Sequence, residues 1–473
     1  MGRQLETVAP PDWTDEPGAT GLLAPAQEEE GKKVLKLALK TFQHFFGAFP
    51  PWLEGLTDPR RVRSPGDIEY PVPALLWTGV WMFLCRLGAR RQINWLLRCP
   101  QGHDLFQTLF GCGIAHGDAM NAVFCRLDVA QVQECVTALV ERLIDSKVLY
   151  PYRLLGRYYL IAVDGTGMLT FSQRHCPYCL TKTHNGKTLY YHHVLEAKLV
   201  CPNGFAFSVM SEFIENPGEN VTKQDCELKA FYRLAKRLKQ RFPRLPIFLL
   251  GDGLFPNGTV FHLCRKYQWG AMITLKDDQL ASINEEFNAL APLMHPLVQH
   301  TGKDAATAQT FRWVNDIDYS DTGHRHHSVH VVECIETKKR KEQEPKTTRF
   351  KWISLFPLTQ DNVSELCNQG GRQRWRIENE GFNVQKNGGY QLEHAYTNNE
   401  NGMKVYYFLL QIACILAQLI EKGDLLTRLF KKGFGSAKNF AFRLLEATRN
   451  APFTTQDYQH MLDVRIQIRF HPP

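Results

Sequence analysis

Three acidic residues, far apart in the chain, stand where a carboxylate can do chemistry. Asp164 follows the apolar run Tyr158–Val163 and opens the stretch Asp164-Gly165-Thr166-Gly167. Asp252 follows Pro246–Leu250 and lies between Gly251 and Gly253. Each apolar run has the length of a buried strand, and the glycines let the backbone turn so that a carboxylate stands clear of the sheet. The third acid is Glu378, within Arg372–Lys386. Wound as a helix at about 100° per residue, that segment puts Trp375 and Phe382 on one apolar stripe and Ile377 and Val384 on another. Arg374, Glu378 and Gln385 fall between the stripes, on the inward side, and Glu380 faces out. An inward carboxylate is costly unless it is paired or bound to a metal. Two strand-end aspartates and one helix-borne glutamate form an all-oxygen donor set suited to two Mg²⁺ or Mn²⁺ ions. Metals paired by shared carboxylates are suited to in-line attack on phosphodiesters.

The elements that must position these acids follow from periodicity. Strands are expected at Tyr158–Val163, Leu189–Val200 and Phe205–Glu212, then an amphipathic helix over Lys223–Phe242. The strand to Leu250, a helix over Asn257–Tyr267 and a strand over Trp269–Lys276 come next. Three adjacent strands, then helix, strand, helix, strand is the order of an RNase H-like mixed sheet, whose strand ends gather acids at one edge. The expected fold class is therefore α/β, an RNase H-like mixed sheet flanked by helices, with a helical N-terminal domain and a β-rich insertion.

The chain divides on the same evidence. Residues 1–30 are rich in Pro, Gly and Glu and are expected to be disordered. Residues 31–155 read as a helical domain, with helices from Lys32, over Pro73–Leu97 and over Val129–Leu149. Its clusters Arg60-Arg61-Val62-Arg63 and Arg86–Arg91 suit either DNA phosphates or a solvated face. Residues 156–276 hold the first part of the core, and 277–360 a β-rich insertion with strands at Thr310–Val314, Ser328–Glu336 and Thr347–Phe356. The last two are joined through Lys338-Lys339-Arg340-Lys341, a basic tip that suits DNA. His324, Arg325, His326 and His327 have no Cys or carboxylate at ligand spacing and read as a polar loop. Residues 361–425 return to the core with the Glu378 helix, and 426–473 form a C-terminal tail.

Composition sets the outer bounds. With 473 residues, 44% apolar and 22% charged, the chain is an ordinary folded protein, and its net charge of +8 suits a polyanionic partner. Thirteen cysteines in mostly apolar settings fit reduced thiols and a cytoplasmic location better than a disulfide framework. The apolar run Val405–Ile420 contains Gln411 and Gln418, is short for a membrane span, and reads as a core helix with no membrane partner. Cys176-Pro177-Tyr178-Cys179 forms a CxxC that a zinc ion would complete with His175 and His184, or with His192 and His193; two free thiols in a loop is the alternative.

The motifs Ala162-Val163-Asp164-Gly165-Thr166, Leu249-Leu250-Gly251-Asp252-Gly253 and Arg374-Trp375-Arg376-Ile377-Glu378-Asn379 together resemble DDE transposases of the insertion-sequence-4 type. In that family the third motif runs Tyr, two residues, Arg, three residues, Glu, six residues, Lys. Arg374 and Glu378 keep the spacing; Gly371 stands at the Tyr position, and the Lys comes one residue late, at Lys386. The resemblance spans about Arg157 to Lys422. It implies metal-dependent strand cleavage at transposon ends and transfer of the freed 3′-OH into target DNA, by a homodimer on paired double-stranded ends. Asp164, Asp252 and Glu378 would be the catalytic acids, with Arg374, Lys386, Lys339 and Arg340 on the DNA, and the protein would join the nucleoid when bound. Rival readings are a nuclease of the same fold that never joins strands, and a domesticated DNA-binding protein without catalysis.

Overall fold

The computed structural model describes residues 25–47, 55–61, 65–219, 221–302, 306–340 and 343–470. One ten-stranded sheet organises it: β1 (Tyr159–Phe171), β2 (Leu180–His184), β3 (Lys187–Val200), β4 (Ala206–Ile214), β5 (Ile247–Gly251), β6 (Gly270–Thr274), β7 (Leu297–Thr301), β8 (Thr307–Ser320), β9 (His326–Arg340) and β10 (Gln343–Ser354). The order is β2-β3-β1-β5-β6-β10-β9-β8-β7, with β4 also on β3. β1, β5 and β6 are parallel, and β3 runs antiparallel to β1 and to β4. Setting β2 aside, β4-β3-β1-β5-β6 is the expected RNase H-like order.

Three departures from the expected elements have physical causes. First, β1 does not stop at Asp164 but runs on to Phe171, because the fourteen-residue β3 pairs with it throughout. Gly165 is there for close approach: a Cβ would lie 2.4 Å from Glu227 Oε1 and 2.6 Å from His193 Nε2. Secondly, the β-rich stretch extends the main sheet. β10 pairs with β6 through Ser354 and Met272, so β10, β9, β8 and β7 continue the sheet and cover what would be an open edge. Thirdly, the helix expected over Pro73–Leu97 ends at Leu84, where Arg86 turns to a φ of 53°. Arg86 then points inward, donating to the Gly388 carbonyl and lying 4.3 Å over the Tyr390 ring, so it belongs to the core and not to a DNA surface.

Helices cover the sheet: α1 (Pro25–Phe46), α2 (Val72–Leu84), α3 (Pro100–Phe110), α4 (Gly117–Phe124), α5 (Val129–Asp145), α6 (Glu227–Arg241), α7 (Gly258–Tyr267), α8 (Ala281–Leu290), α9 (Val363–Glu365), α10 (Val384–Asn387), α11 (Glu400–Lys422), α12 (Asp424–Leu429), α13 (Ala437–Asn450) and α14 (Thr455–Asp463). Of the segment expected to be disordered, residues 1–24 lie outside the described residues, and the remainder is already helix from Pro25. Of the cluster around Arg60, Val62 and Arg63 likewise lie outside; Arg60 is held by Asp58 at 2.6 Å. Helix α11 is long and apolar enough to cross a membrane by composition, yet 89% of its most apolar window is buried inside the protein. It packs against α2, α5 and β4 and joins the helical N-terminal region to the sheet. The His324–His327 stretch is a polar turn only at its start, where the Asp321 carboxylate accepts from the Gly323 and Arg325 amides. His326 and His327 already belong to β9, and His327 is buried with its Nε2 3.2 Å from Asp321 Oδ2, a carboxylate partner the polar-loop reading did not foresee.

Candidate functional site

Parallel pairing sets the first two acids side by side. Ala162 on β1 lies opposite Leu250 on β5. Two residues further along each chain come Asp164 and Asp252, at the same level of adjacent strands. Asp252 has just left β5, and its Oδ1 accepts from the Leu254 amide at 2.9 Å, which fixes the turn.

Glu378 comes from above. Its segment is not the single α-helix expected: Gly371–Arg374 is a 3₁₀ turn, Ile377–Asn383 is π-helical, and α10 follows. At the wide turn the backbone rides directly over the buried Lys198 side chain of β3: a Cβ on Gly381 would sit 3.1 Å from both its Cδ and its Cε. Wide turns of this kind are frequent at functional sites. Phe382, Ile377 and Gln385 are buried as expected, whereas Trp375 is 53% exposed and not part of the apolar stripe. Glu380, expected to face out, is half-buried and paired with Arg376 at 2.7 Å.

Arg374 joins the acids. Its buried guanidinium donates from Nη1 to Glu378 Oε1 at 2.7 Å and lies 3.4 Å from Asp164 Oδ2. Burial of the Asp164 carboxyl, then the neighbouring Asp252 charge, push its pKa up to about 7; Arg374 works in the opposite direction and Glu378 adds to the rise. Asp164 therefore feels both other acids through space, with a single cation between it and Glu378. Three carboxylates with one guanidinium keep an excess of negative charge, and by donor type their oxygens suit Mg²⁺ or Mn²⁺. Among the described residues the three acids do not bring their oxygens within 4.8 Å of one another; His175, Cys176, Cys179 and His192 do meet that spacing.

The raised Asp164 pKa has a consequence for stability. An unfolded chain releases this proton near 3.8, the folded protein near 7. Between those values the folded state binds more protons, so the contribution is fully present below pH 3.8 and is lost as pH rises through about 7. In EDTA at pH 8, Asp164→Asn is expected to stabilise the fold by on the order of 2–4 kcal/mol, with the gain disappearing toward pH 4. Urea denaturation at the two pH values measures it; a gain of equal size at both would show that the carboxyl is not protonated in the fold.

The other sequence candidates separate. Lys386 is engaged by Glu393 at 2.7 Å. Lys339 is exposed near the end of β9; Arg340 ends that strand opposite Gln343, and residues 341–342 between them lie outside the described residues. His193 is paired with Glu227 at 3.1 Å and stands outside the CxxC cluster, which His175 and His192 join; the backbone of His184 ends β2, at the far end of the hairpin from Cys179.

Sequence reasoning missed a groove of about 540 Å³ beside the acids. Lys276, Arg349, Lys351, Arg374 and Trp375 line it, with Asp277 as the acid among them. Lys351 and Arg349 are engaged by Asp277. Lys276 is exposed, has no carboxylate partner among the described residues, and packs against the Asp252–Gly253 turn, where a Cβ on Gly253 would lie 2.7 Å from its Cε. The signal existed: a residue just past the third parallel strand belongs at the same edge as the acids.

Fold and site together define an α/β protein with an RNase H-like sheet whose edge gathers two aspartates, a helix-borne glutamate and an arginine between them. No family model matches the chain, and no curated protein matches it. Among solved structures, a piggyBac transposase synaptic complex with hairpin DNA aligns with 90% of this chain and 82% of that chain, at 11% identity and a TM-score of 0.39. So loose a superposition establishes no kinship.

Proposed function

We propose that the protein is a DNA transposase of the DDE type, cutting at element ends and joining the 3′-OH to target DNA. The observation that carries this reading is the placing of Asp164 and Asp252 at the same level of adjacent parallel strands, with Arg374 bridging Asp164 and Glu378. Motif order supports the finer assignment, a likeness to the insertion-sequence-4 type. Held by the three acids, two Mg²⁺ or Mn²⁺ ions would activate water or a DNA 3′-OH and stabilise the leaving oxygen. Arg374 holds Glu378 and Asp164 in register and lowers the cost of keeping Asp164 ionised. Lys276 and the exposed Trp375 would hold the nucleic acid, one by a phosphate contact and one by stacking on a base.

The test uses duplex oligonucleotides carrying the sequences that flank the gene, with Mg²⁺ or Mn²⁺. Cleavage at inverted repeats, and joining of pre-cleaved 3′-OH ends to a plasmid, are expected. Cleavage without joining would favour the nuclease reading, and binding without cleavage the domesticated one. Trp375→Ala is expected to weaken DNA binding by about 1–3 kcal/mol, and Lys276→Ala to reduce the salt slope of binding by about 1. Fluorescence anisotropy at several salt concentrations reads both, and wild-type affinity in the two variants would remove the groove from the DNA path.

A further inference from the structure

We infer that His175, Cys176, Cys179 and His192 form a structural zinc site, independent of the acidic centre and of the reaction assigned to it. The four donor atoms all lie within 4.8 Å of one another. His175 Nδ1 is 3.3 Å from Cys179 Sγ, the two sulfurs are 3.3 Å apart, and His192 Nε2 is 3.5 Å from each sulfur. Tetrahedral zinc with its usual bond lengths needs edges of about 3.6 Å between sulfur and nitrogen and about 3.8 Å between sulfurs. The His192 edges meet this, and the two sulfurs need part by only a few tenths of an ångström to take one ion.

The chain builds the cage in a way its sequence alone conceals. His175 and Cys176 sit in the connection after β1, and Cys179 ends it. Pairing of Leu180 with Tyr191 in the β2–β3 hairpin then sets residue 179 opposite 192. His184 is nearer Cys179 in sequence but falls at the far end of that hairpin, where it pairs with Lys187.

Surrounding groups hold the ligands in place. Phe171 stacks on the His175 ring at 4.2 Å. Asn216 donates from Nδ2 to the Cys179 carbonyl at 2.9 Å, and its own amide donates to the Tyr178 carbonyl. Such outer contacts orient ligands and tune affinity. Cys179 and His192 are buried, and Cys176 and His175 are half-buried.

Charge and coordination point to the same ion. Two thiolates, two neutral imidazoles and one Zn²⁺ sum to zero, so the filled cage leaves no uncompensated charge beneath the surface. Four protein donors fill a tetrahedron and leave no position for substrate, which marks a structural and not a catalytic site. A mixed sulfur and nitrogen tetrahedron favours zinc over Mg²⁺ or Ca²⁺. Its place gives it a role. His192 faces Leu169 across the β1–β3 ladder, the same ladder that carries Asp164. Zinc there ties the β1–β2 connection to β3 and braces the strand that presents the first acid.

The experiment measures metal in the full chain, purified without chelators and dialysed against metal-free buffer. One zinc per chain is expected by elemental mass spectrometry, released by a mercurial thiol reagent, together with a fall in Tm on release. Cobalt exchanged into the site is expected to give the intense visible bands of a tetrahedral thiolate centre. His192→Ala and Cys176→Ser should lose the ion, whereas Cys201→Ser, a buried thiol outside the cage, should keep it. Absence of zinc with no tetrahedral cobalt spectrum overturns the assignment, as does zinc retained when Cys176 and Cys179 are both serine. Should those variants not fold, the cobalt spectrum and mercurial release of the wild-type chain decide by themselves.

Discussion

Asp252→Ala and Glu378→Ala are each expected to reduce strand cleavage on the order of a thousandfold or more, equivalent to about 4 kcal/mol of transition-state stabilisation, while DNA binding stays within about threefold. The expectation follows from the electrostatics of the site: burial first, and then the charges of Asp252 and Glu378, hold the Asp164 proton to about pH 7, and a site so disposed toward protonation is relieved by divalent cations. A milder variant separates charge from geometry. Glu378→Gln keeps an oxygen able to accept from Arg374 Nη1, the contact now at 2.7 Å, but removes the negative charge. If Glu378 only anchors Arg374, the glutamine variant retains most activity; if it holds a metal, the glutamine variant is nearly as inactive as the alanine one. Asp252→Cys adds a further reading, since a thiolate favours softer cations, and activity restored by Mn²⁺ but not by Mg²⁺ would assign direct ligation. Gel-based cleavage assays with duplex substrate measure all four variants. Cleavage at wild-type rates by Glu378→Ala would remove that residue from the active centre.

How much of this was legible depends on whether the signal was local. Asp252 could be found because an apolar run followed by Gly-Asp-Gly is complete within eight residues, and β5 ends where that pattern says. Asp164 was found for a partly wrong reason. Its glycines suggested a turn, but Gly165 serves the close approach of Glu227 and His193 inside a strand that continues, and a Cβ on Gly167 would meet nothing within 4 Å. The Glu378 segment shows the limit more sharply. Helical periodicity placed Arg374 and Gln385 inward correctly but not Glu378, whose side chain is 40% exposed against 36% for Glu380. Nor could it show the wide turn where Gly381 rides over Lys198 of β3, about 180 residues earlier. The continuation of the sheet through β10 was hidden for a similar reason, since the partner of a strand edge is chosen in three dimensions. Pairing register likewise decided which histidine joined Cys179, and register belongs to the hairpin as a whole.

The same Lys198 carries the largest expected effect on stability. Glu196 on β3 faces Asp164 across the ladder, and its Oε2 lies 3.0 Å from Lys198 Nζ with both side chains wholly buried. The two ends of the pair are unequally supported. Glu196 also accepts from the hydroxyls of Ser208, Ser211 and Tyr407, whereas the ammonium has the Gln411 side chain at 3.0 Å and the Phe382 ring beneath it. Removing one member of a buried pair costs about 3–5 kcal/mol because the other charge is left uncompensated, while replacing both by groups of similar shape can be nearly neutral. Glu196→Ala is therefore expected to be the more damaging change, at the upper end of that range, since a lone ammonium has one good acceptor left. Lys198→Met should cost less, about 1–3 kcal/mol, because three hydroxyls still solvate the carboxylate. Combining Glu196→Gln with Lys198→Met should recover much of the loss. Thermal and urea denaturation would establish the order, and a double variant less stable than either single one would mean that the pair does not act as a unit. Because Lys198 also lies under Gly381, its replacement should disturb the seat of Glu378, and Lys198→Met is expected to lose cleavage activity out of proportion to its loss of stability.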